Sequence, residues 1–73
     1  MNHEETTRLH FALLRAATHS ATADHHCNFL YGYLQGLRDA GSIQSSLYLR
    51  LHRMTTKAWC NKIDRLAGKR RAA

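Results

Sequence analysis

The apolar residues of this chain recur every three or four positions in three separate stretches, which is the spacing of amphipathic helices. The first stretch predicts a helix that begins after Asn2, where Glu5 three residues later completes a capping box. The predicted buried stripe of this first helix consists of Leu9, Ala12, Leu13 and Ala16, with Phe11 and Leu14 beside it. The polar run 18–20 is expected to end the helix.

The second stretch predicts a longer helix with one apolar seam. The seam residues step by three, four and three positions, as helix-packing seams do, and are Cys27, Leu30, Leu34 and Leu37. Ser20 or Thr22 is predicted to cap the start of this helix. Gly41 stands where a left-handed residue commonly ends a helix.

The third stretch carries two apolar stripes on one predicted helix. The first stripe consists of Leu47, Leu51, Met54 and Ala58, and the second consists of Tyr48, Trp59, Ile63 and Leu66. The stripes are rotated by roughly a quarter turn or more from each other, which suggests two neighbours: helix 2, and either helix 1 or a second subunit. Ser42, Ser45 or Ser46 is predicted to cap this helix, and Gly68 is expected to end it.

The short turn after Gly41 forces helices 2 and 3 into an antiparallel hairpin. With the turn centred near Ile43, Cys27 should face Cys60, both as reduced thiols. A chain of 73 residues allows one domain, predicted over 1–68, with 69–73 as a basic disordered tail. So short a chain buries only about 60% of its unfolded surface, so a partner is expected to add stability. We therefore predict an all-α fold in which the hairpin and a shorter N-terminal helix pack as a dimeric bundle, a homodimer.

Basic residues are concentrated in the second half of the chain. The formal net charge is +6, and after Asp39 the single acid Asp64 is accompanied by eight bases. This asymmetry predicts an anionic partner: nucleic acid, an acidic protein surface or a membrane surface. The predicted nucleic-acid-binding residues are Arg50, Arg53, Lys57, Lys62, Arg65, Lys69, Arg70 and Arg71. The first three share one stripe that could neutralise phosphates without reading sequence, and the alternative is an ordinary solvated helix face.

The stretch from Leu37 to Leu47 resembles the helix-turn-helix of phage repressors in its turn glycine, the following Gln-Ser pair and the later aliphatic residue. The resemblance implies that Gln44, Ser45 and Tyr48 would read base edges, while Arg50 and Arg53 would hold phosphates. Leu37, Ser42 and Arg50 depart from the motif, and the predicted helices are longer than its helices. A broader basic face is therefore the preferred interpretation.

A Gly-x-x-x-Gly pattern in helix 2 supports an alternative function. Each glycine costs a helix interior about 1 kcal/mol relative to alanine, so close packing by helix 1 or by a dimer partner is expected to offset it. The alternative is a small adaptor or inhibitor of phage or mobile-element type. Its predicted protein-interaction residues are Phe29, Gly32, Tyr33, Gly36, Trp59, Ile63 and Leu66.

Other chemistry finds little support in the sequence. His25, His26 and Cys27 are adjacent on a helix and point about 100° apart, so one ion could not bind all three without local unwinding. One of these histidines could still join Cys27 and Cys60, but we expect no metal and no cofactor. The sequence contains no recognisable enzyme motif. Without an apolar leader or a run of about 18 apolar residues, a cytoplasmic protein with no membrane span is expected.

Overall fold

The computed structural model describes residues 2–72, and the side chains of residues 2–68. The described chain forms three α-helices: α1 (His3–Ala16), α2 (Ser20–Asp39) and α3 (Ser45–Ala72). Each helix contacts the other two, and the molecule is 46 Å long. A helix of 28 residues measures about 42 Å, so α3 sets this length. The prediction of an all-α fold, with a helical hairpin and a shorter N-terminal helix, is confirmed.

Asn2 caps the start of α1 as predicted, in a variant of the capping box. The Asn2 Oδ1 atom accepts a hydrogen bond of 2.9 Å from the Glu5 backbone N–H. The Asn2 side-chain amide also donates to the Glu5 carboxylate at 3.4 Å. The first bond satisfies the Glu5 N–H, which the first helical turn would otherwise leave unpaired, and the second joins the two side chains in place of the bond that a full capping box makes to the Asn2 backbone N–H.

The predicted buried face of α1 is correct for Phe11 and Leu14 but wrong for the stripe beside them, because the helix has two apolar faces and only one of them faces the core. Thr7, Phe11 and Leu14 are buried. Leu9 and Leu13 are 43% and 37% exposed. Thr7 tolerates burial since its hydroxyl donates to the His3 carbonyl at 2.7 Å. The solvent-facing residues Leu9, Ala12, Leu13 and Ala16 are called the outer α1 stripe below.

The seam of α2 lies where the sequence predicts it. Cys27, Leu30 and Leu34 are buried, Leu37 is half-buried, and Ala23 extends the seam toward the start of the helix. The core cluster consists of Ala23 and Leu30 of α2, Phe11 and Leu14 of α1, and Ala17, which follows α1 directly.

The start of α2 differs from its prediction, whereas its end agrees. The helix begins at Ser20, so the residue before it is His19, whose side chain makes no capping bond. Gly41 has φ 75°, the left-handed region. The Ser42 N–H donates to the Leu37 carbonyl at 2.8 Å, and the Gly41 N–H to the Arg38 carbonyl at 3.0 Å. This is a Schellman motif, which satisfies two carbonyls of the last turn.

Side-chain contacts along α2 and α3 confirm the predicted hairpin. Tyr31 and Thr56 share a hydrogen bond of 2.6 Å between their hydroxyls. Trp59 Nε1 donates to Asp24 Oδ1 at 2.6 Å. Near the turn, the Arg38 guanidinium lies 4.3 Å from the centre of the Tyr48 ring. Contacts at both ends and in the middle show that the helices pack along their length.

The cysteines agree with this register in part. Both are free thiols, but Cys27 is buried and Cys60 is exposed. Burial raises the pKa of the Cys27 thiol, partly opposed by a hydrogen bond with Tyr31, and the nearby Asp24 and Cys60 raise it further. The Cys27 thiol is therefore held in its protonated, unreactive form.

The two apolar stripes of α3 both face this bundle. Trp59, Ile63 and Ala58 pack against the core cluster. Met54, predicted to be in the first stripe, is 45% exposed, and the neighbouring Thr55 is fully buried instead. The Thr55 hydroxyl donates to the Leu51 carbonyl at 2.8 Å, so its burial leaves no unpaired group. The two stripes predict helix 2 as one neighbour and either helix 1 or a second subunit as the other. The structure has α1 of the same chain in that second place.

The ends of α3 also differ from the prediction. Gln44, not a serine, precedes the first turn, and its carbonyl accepts from the Tyr48 N–H at 3.0 Å. At the other end the helix continues past Gly68 to Ala72. The backbone of 69–72 is helical, in contrast to the predicted disordered tail, and the side chains of Lys69, Arg70 and Arg71 lie outside the described residues.

Candidate nucleic-acid interface

Three of the predicted phosphate-binding residues lie together on the solvent-facing side of α3. Arg50, Arg53 and Lys57 are exposed and occur at i, i+3 and i+7. They line a shallow groove of about 410 Å³. The groove, called the outer α3 groove below, is completed by Ser46, Leu49 and Met54. The same helix buries Thr55 on its opposite side, so the orientation of α3 in the bundle exposes these bases.

Apolar side chains accompany the bases in this groove. Leu49 is 51% exposed and Met54 is 45% exposed. The aliphatic stems of Arg and Lys can lie along such residues while their charged ends stay in water. The outer α3 groove can therefore offer cations to phosphates together with apolar contact area for sugars or bases.

Two further predicted residues, Lys62 and Arg65, lie on a different flank of α3 that faces the end of α1. There they line a cleft of about 140 Å³ with Arg15 of α1. Asn61 and Ala58 complete this cleft, called the α1/α3 cleft below. Arg15 is not among the predicted residues, because nothing in the surrounding sequence distinguishes it from any solvated base. The one signal that places it there is the topology: α1 and α3 both run antiparallel to α2, so the end of α1 lies beside the second half of α3.

Carboxylates do not neutralise these bases within the part of the chain that the structure describes. The single ion pair found there joins Arg38 and Asp39 at 3.6 Å. Neither the outer α3 groove nor the α1/α3 cleft is lined by an acidic residue. The exposed Glu4 and Glu5 lie in the first turn of α1, at the opposite end of that helix from Arg15. Asp64 is exposed on α3 two turns after Lys57 and forms no ion pair with a described base, so the positive charge of both sites is available to a ligand.

The predicted protein-interaction residues do not form one surface. Phe29 stacks on Tyr33 with ring centroids 5.4 Å apart, and on His10 of α1 at 3.7 Å. Trp59 and Ile63 instead pack against the core cluster, and Leu66 is half-buried on α3. The aromatic pair of α2 thus belongs to the α1–α2 contact.

The two glycines of α2 face solvent, so the expectation that α1 packs on them is wrong. A Cβ atom added at Gly32 or Gly36 would meet nothing within 4 Å. Both residues are exposed. Contact with a second subunit at this position stays a prediction.

Histidines gather between α1 and α2 rather than with the cysteines. The Nδ1 atoms of His10 and His26 are 3.2 Å apart, so one ring can donate to the other. Burial lowers the pKa of His10, and the neighbouring His26 and His25 lower it further. No three side chains of His, Cys, Asp or Glu converge as metal ligands among the described residues.

The structure does not have the geometry of a helix-turn-helix. In that motif two short helices cross at about 90–120°. Here α2 and α3 have 20 and 28 residues and pack along their length. Tyr48, a predicted base-reading residue, is half-buried beneath Arg38, while Gln44 and Ser45 are exposed. The prediction of a recognition helix is wrong, although Arg50 and Arg53 remain accessible.

Comparison with protein-family models, with curated proteins and with solved structures finds no match to this chain. Across the described residues, none of the helices combines the length and the apolar character that crossing a membrane requires.

Proposed function

We propose that this protein is a small cytoplasmic accessory or regulatory protein that binds nucleic acid without catalysing a reaction. The observation that carries the proposal is the outer α3 groove, where Arg50, Arg53 and Lys57 share one exposed face that no carboxylate lines. Lys62, Arg65 and the bases of residues 69–71 add positive charge along the same helix.

The proposed binding depends on the phosphate backbone. Arg50 and Lys57 are seven residues apart, which is about 10 Å along a helix. Phosphates of one DNA strand rise about 3.4 Å along the duplex axis, so this face has the length to meet about three of them. Each neutralised phosphate releases counterions, and affinity then falls steeply with salt. Leu49 and Met54 have no groups that distinguish base edges, which favours binding without sequence preference.

Fluorescence anisotropy with a labelled DNA duplex and a labelled RNA, over a series of salt concentrations, tests this proposal. Replacing Arg50, Arg53 and Lys57 with Gln should weaken binding and flatten the slope of log affinity against log salt by about 2 to 3. Absence of wild-type binding at low salt would refute the proposal.

A matched pair of variants separates the groove from net charge. R53Q and R8Q each remove one positive charge from an exposed helical position, but only R53Q changes the outer α3 groove. We expect R53Q to weaken binding clearly more than R8Q. Deletion of residues 69–73 measures the part that the tail contributes, and loss of all binding there would assign the function to the tail alone.

We also propose that the protein is a homodimer, on different grounds from those that the sequence supplied. The two faces of α3 are occupied within the chain, but the outer α1 stripe exposes Leu9 and Leu13 beside two small alanines. Such a stripe complements a copy of itself, since leucines of one helix fit over alanines of the other. Sedimentation equilibrium of wild type and of L9E/L13E should give a dimer and a monomer, respectively.

The adaptor function remains the second candidate because of the two open glycines of α2. Each costs about 1 kcal/mol in the helix, and none of the described residues packs on them. A protein partner lying on this bare backbone would explain them. Such a partner should bind in a salt-tolerant manner, and its binding should be lost in G32L, whereas nucleic-acid binding should be unchanged by G32L.

A further inference from the structure

The α1/α3 cleft joins bases from parts of the chain that are distant in sequence. Arg15 is in the last turn of α1, and Lys62 and Arg65 follow on α3 after the whole of α2. All three line one cleft of about 140 Å³ together with the amide-bearing Asn61. Only the folded bundle creates this concentration of charge.

The cleft has the size and chemistry for one anionic group. Pockets for drug-sized molecules have volumes of about 300–1,000 Å³, so this cleft is too small for such a ligand. The residues that line it carry two guanidinium groups, one ammonium group and one amide, and none of them is acidic. Arginine binds phosphate through two parallel N–H donors, and this geometry makes it a frequent phosphate ligand.

The position of Arg15 is partly set by the fold. Its guanidinium lies 5.7 Å from the centre of the ring of Phe11, one turn earlier on α1, and Phe11 is buried in the core cluster. Lys62 is half-buried, so part of its freedom is already lost before a ligand arrives. Three like charges held in one cleft repel one another, and a bound anion relieves that repulsion.

We propose that the α1/α3 cleft holds one backbone phosphate of the bound nucleic acid, with Arg15, Lys62 and Arg65 as its ligands. This inference rests on the proposed nucleic-acid function and extends the interface from α3 to α1. Full affinity then requires the folded bundle, since a peptide of α3 alone keeps the outer α3 groove but lacks Arg15. A phosphate in the cleft also ties α1 to α3, so nucleic acid should raise the melting temperature of the protein.

The decisive comparison is Arg15→Gln against Arg8→Gln. Both variants remove one positive charge from α1, and both side chains are exposed, but Arg8 lies two turns away from the cleft. R15Q should weaken binding of the DNA duplex roughly three- to tenfold and flatten the salt slope by about 0.9. R8Q should stay within about twofold of wild type, since only a distant charge is lost. Lys62→Gln is expected to behave like R15Q, and Arg15→Lys should retain more binding than R15Q.

Inorganic phosphate provides an independent readout. At matched ionic strength, phosphate should raise the melting temperature of wild type and R8Q above the value in chloride, and should do so much less for R15Q. Equal DNA affinities of R15Q and R8Q would overturn the inference while leaving the proposed function intact. Stabilisation by phosphate without any binding of DNA or RNA would identify a free-phosphate site and overturn the nucleic-acid assignment. If neither ligand has an effect on wild type, both proposals fail.

Discussion

Helices α1 and α2 both carry leucines at helical spacing. The regular stripe of α2 faces the core, whereas the regular stripe of α1 faces solvent. In α2, Leu30 and Leu34 are fully buried. In α1, Leu9 and Leu13 face solvent, and Phe11 and Leu14 pack inside. The difference lies in the number of apolar faces. The outward positions of α2 include Asn28, Gly32 and Gln35, so it has one face to bury, whereas α1 has two.

Leucine truncation should show the largest difference between these faces. Leu14→Ala in α1 and Leu30→Ala in α2 each remove a fully buried side chain, and each should destabilise the fold by about 2–5 kcal/mol. Leu13→Ala, next to Leu14 but 37% exposed, should change the stability of the monomer by about 0.5 kcal/mol or less. Urea denaturation followed by circular dichroism measures all three.

Repeating the Leu13→Ala measurement at several protein concentrations tests whether Leu13 lies in a dimer contact. If the outer α1 stripe forms the dimer contact, Leu13→Ala should lower stability more at high protein concentration than at low concentration. A concentration-independent loss as large as that of Leu14→Ala would mean that the described orientation of α1 is wrong.

Substitutions at the N-caps of α1 and α2 should show the next largest difference in stability. Asn2→Ala removes the capping bond to Glu5 and should lower the free energy of unfolding by about 1 kcal/mol. His19→Ala should have little effect, because the His19 side chain makes no capping bond. Introducing a good cap by His19→Asp should stabilise the protein instead. Equal losses in Asn2→Ala and His19→Ala would contradict the assigned caps.

Replacing the glycines of α2 with alanine should have a smaller effect, and one that stabilises the protein. Gly32→Ala and Gly36→Ala should each stabilise the protein by about 0.5–1 kcal/mol, because the added methyl group meets open space. Gly41→Ala is the matched control and should destabilise by about 1–2 kcal/mol, since φ at this position is +75°. Destabilisation by Gly32→Ala would indicate that another subunit packs on this face.

The contact between α1 and α2 should add a modest pH dependence. The folded-state pKa of His10 lies below its usual value of 6.5, so folding favours the neutral ring. This contribution to stability is fully present above pH 6.5 and is lost as the pH falls through the folded-state pKa. His10→Gln should therefore show a weaker loss of stability on acidification than wild type, as measured by urea denaturation across this pH range. If the slope of the unfolding free energy against pH is the same in His10→Gln and wild type, His10 is not a source of the pH dependence.

The predictable parts of this structure are those that depend on residues close in sequence or on one continuous helix. The Asn2–Glu5 capping box, the Schellman motif at Gly41 and the seam of α2 follow from local spacing. The bases of the outer α3 groove were also predictable, because Arg50, Arg53 and Lys57 share a stripe on any helix. The caps of α2 and α3 were not, since several polar residues in each turn can serve and only docking of the helix selects among them.

The sequence by itself determined that there are three helices, that α2 and α3 form a hairpin, and that positive charge concentrates on α3. The reason is that helical periodicity, turn geometry and charge are properties of local segments. Only the tertiary structure decided which apolar face of α1 is buried and which bases meet Arg15. Both outcomes depend on how three helices share one core: Phe11 and Leu14 fill it beside Leu30, and this orientation of α1 leaves Leu9 and Leu13 in solvent and Arg15 next to Lys62 and Arg65.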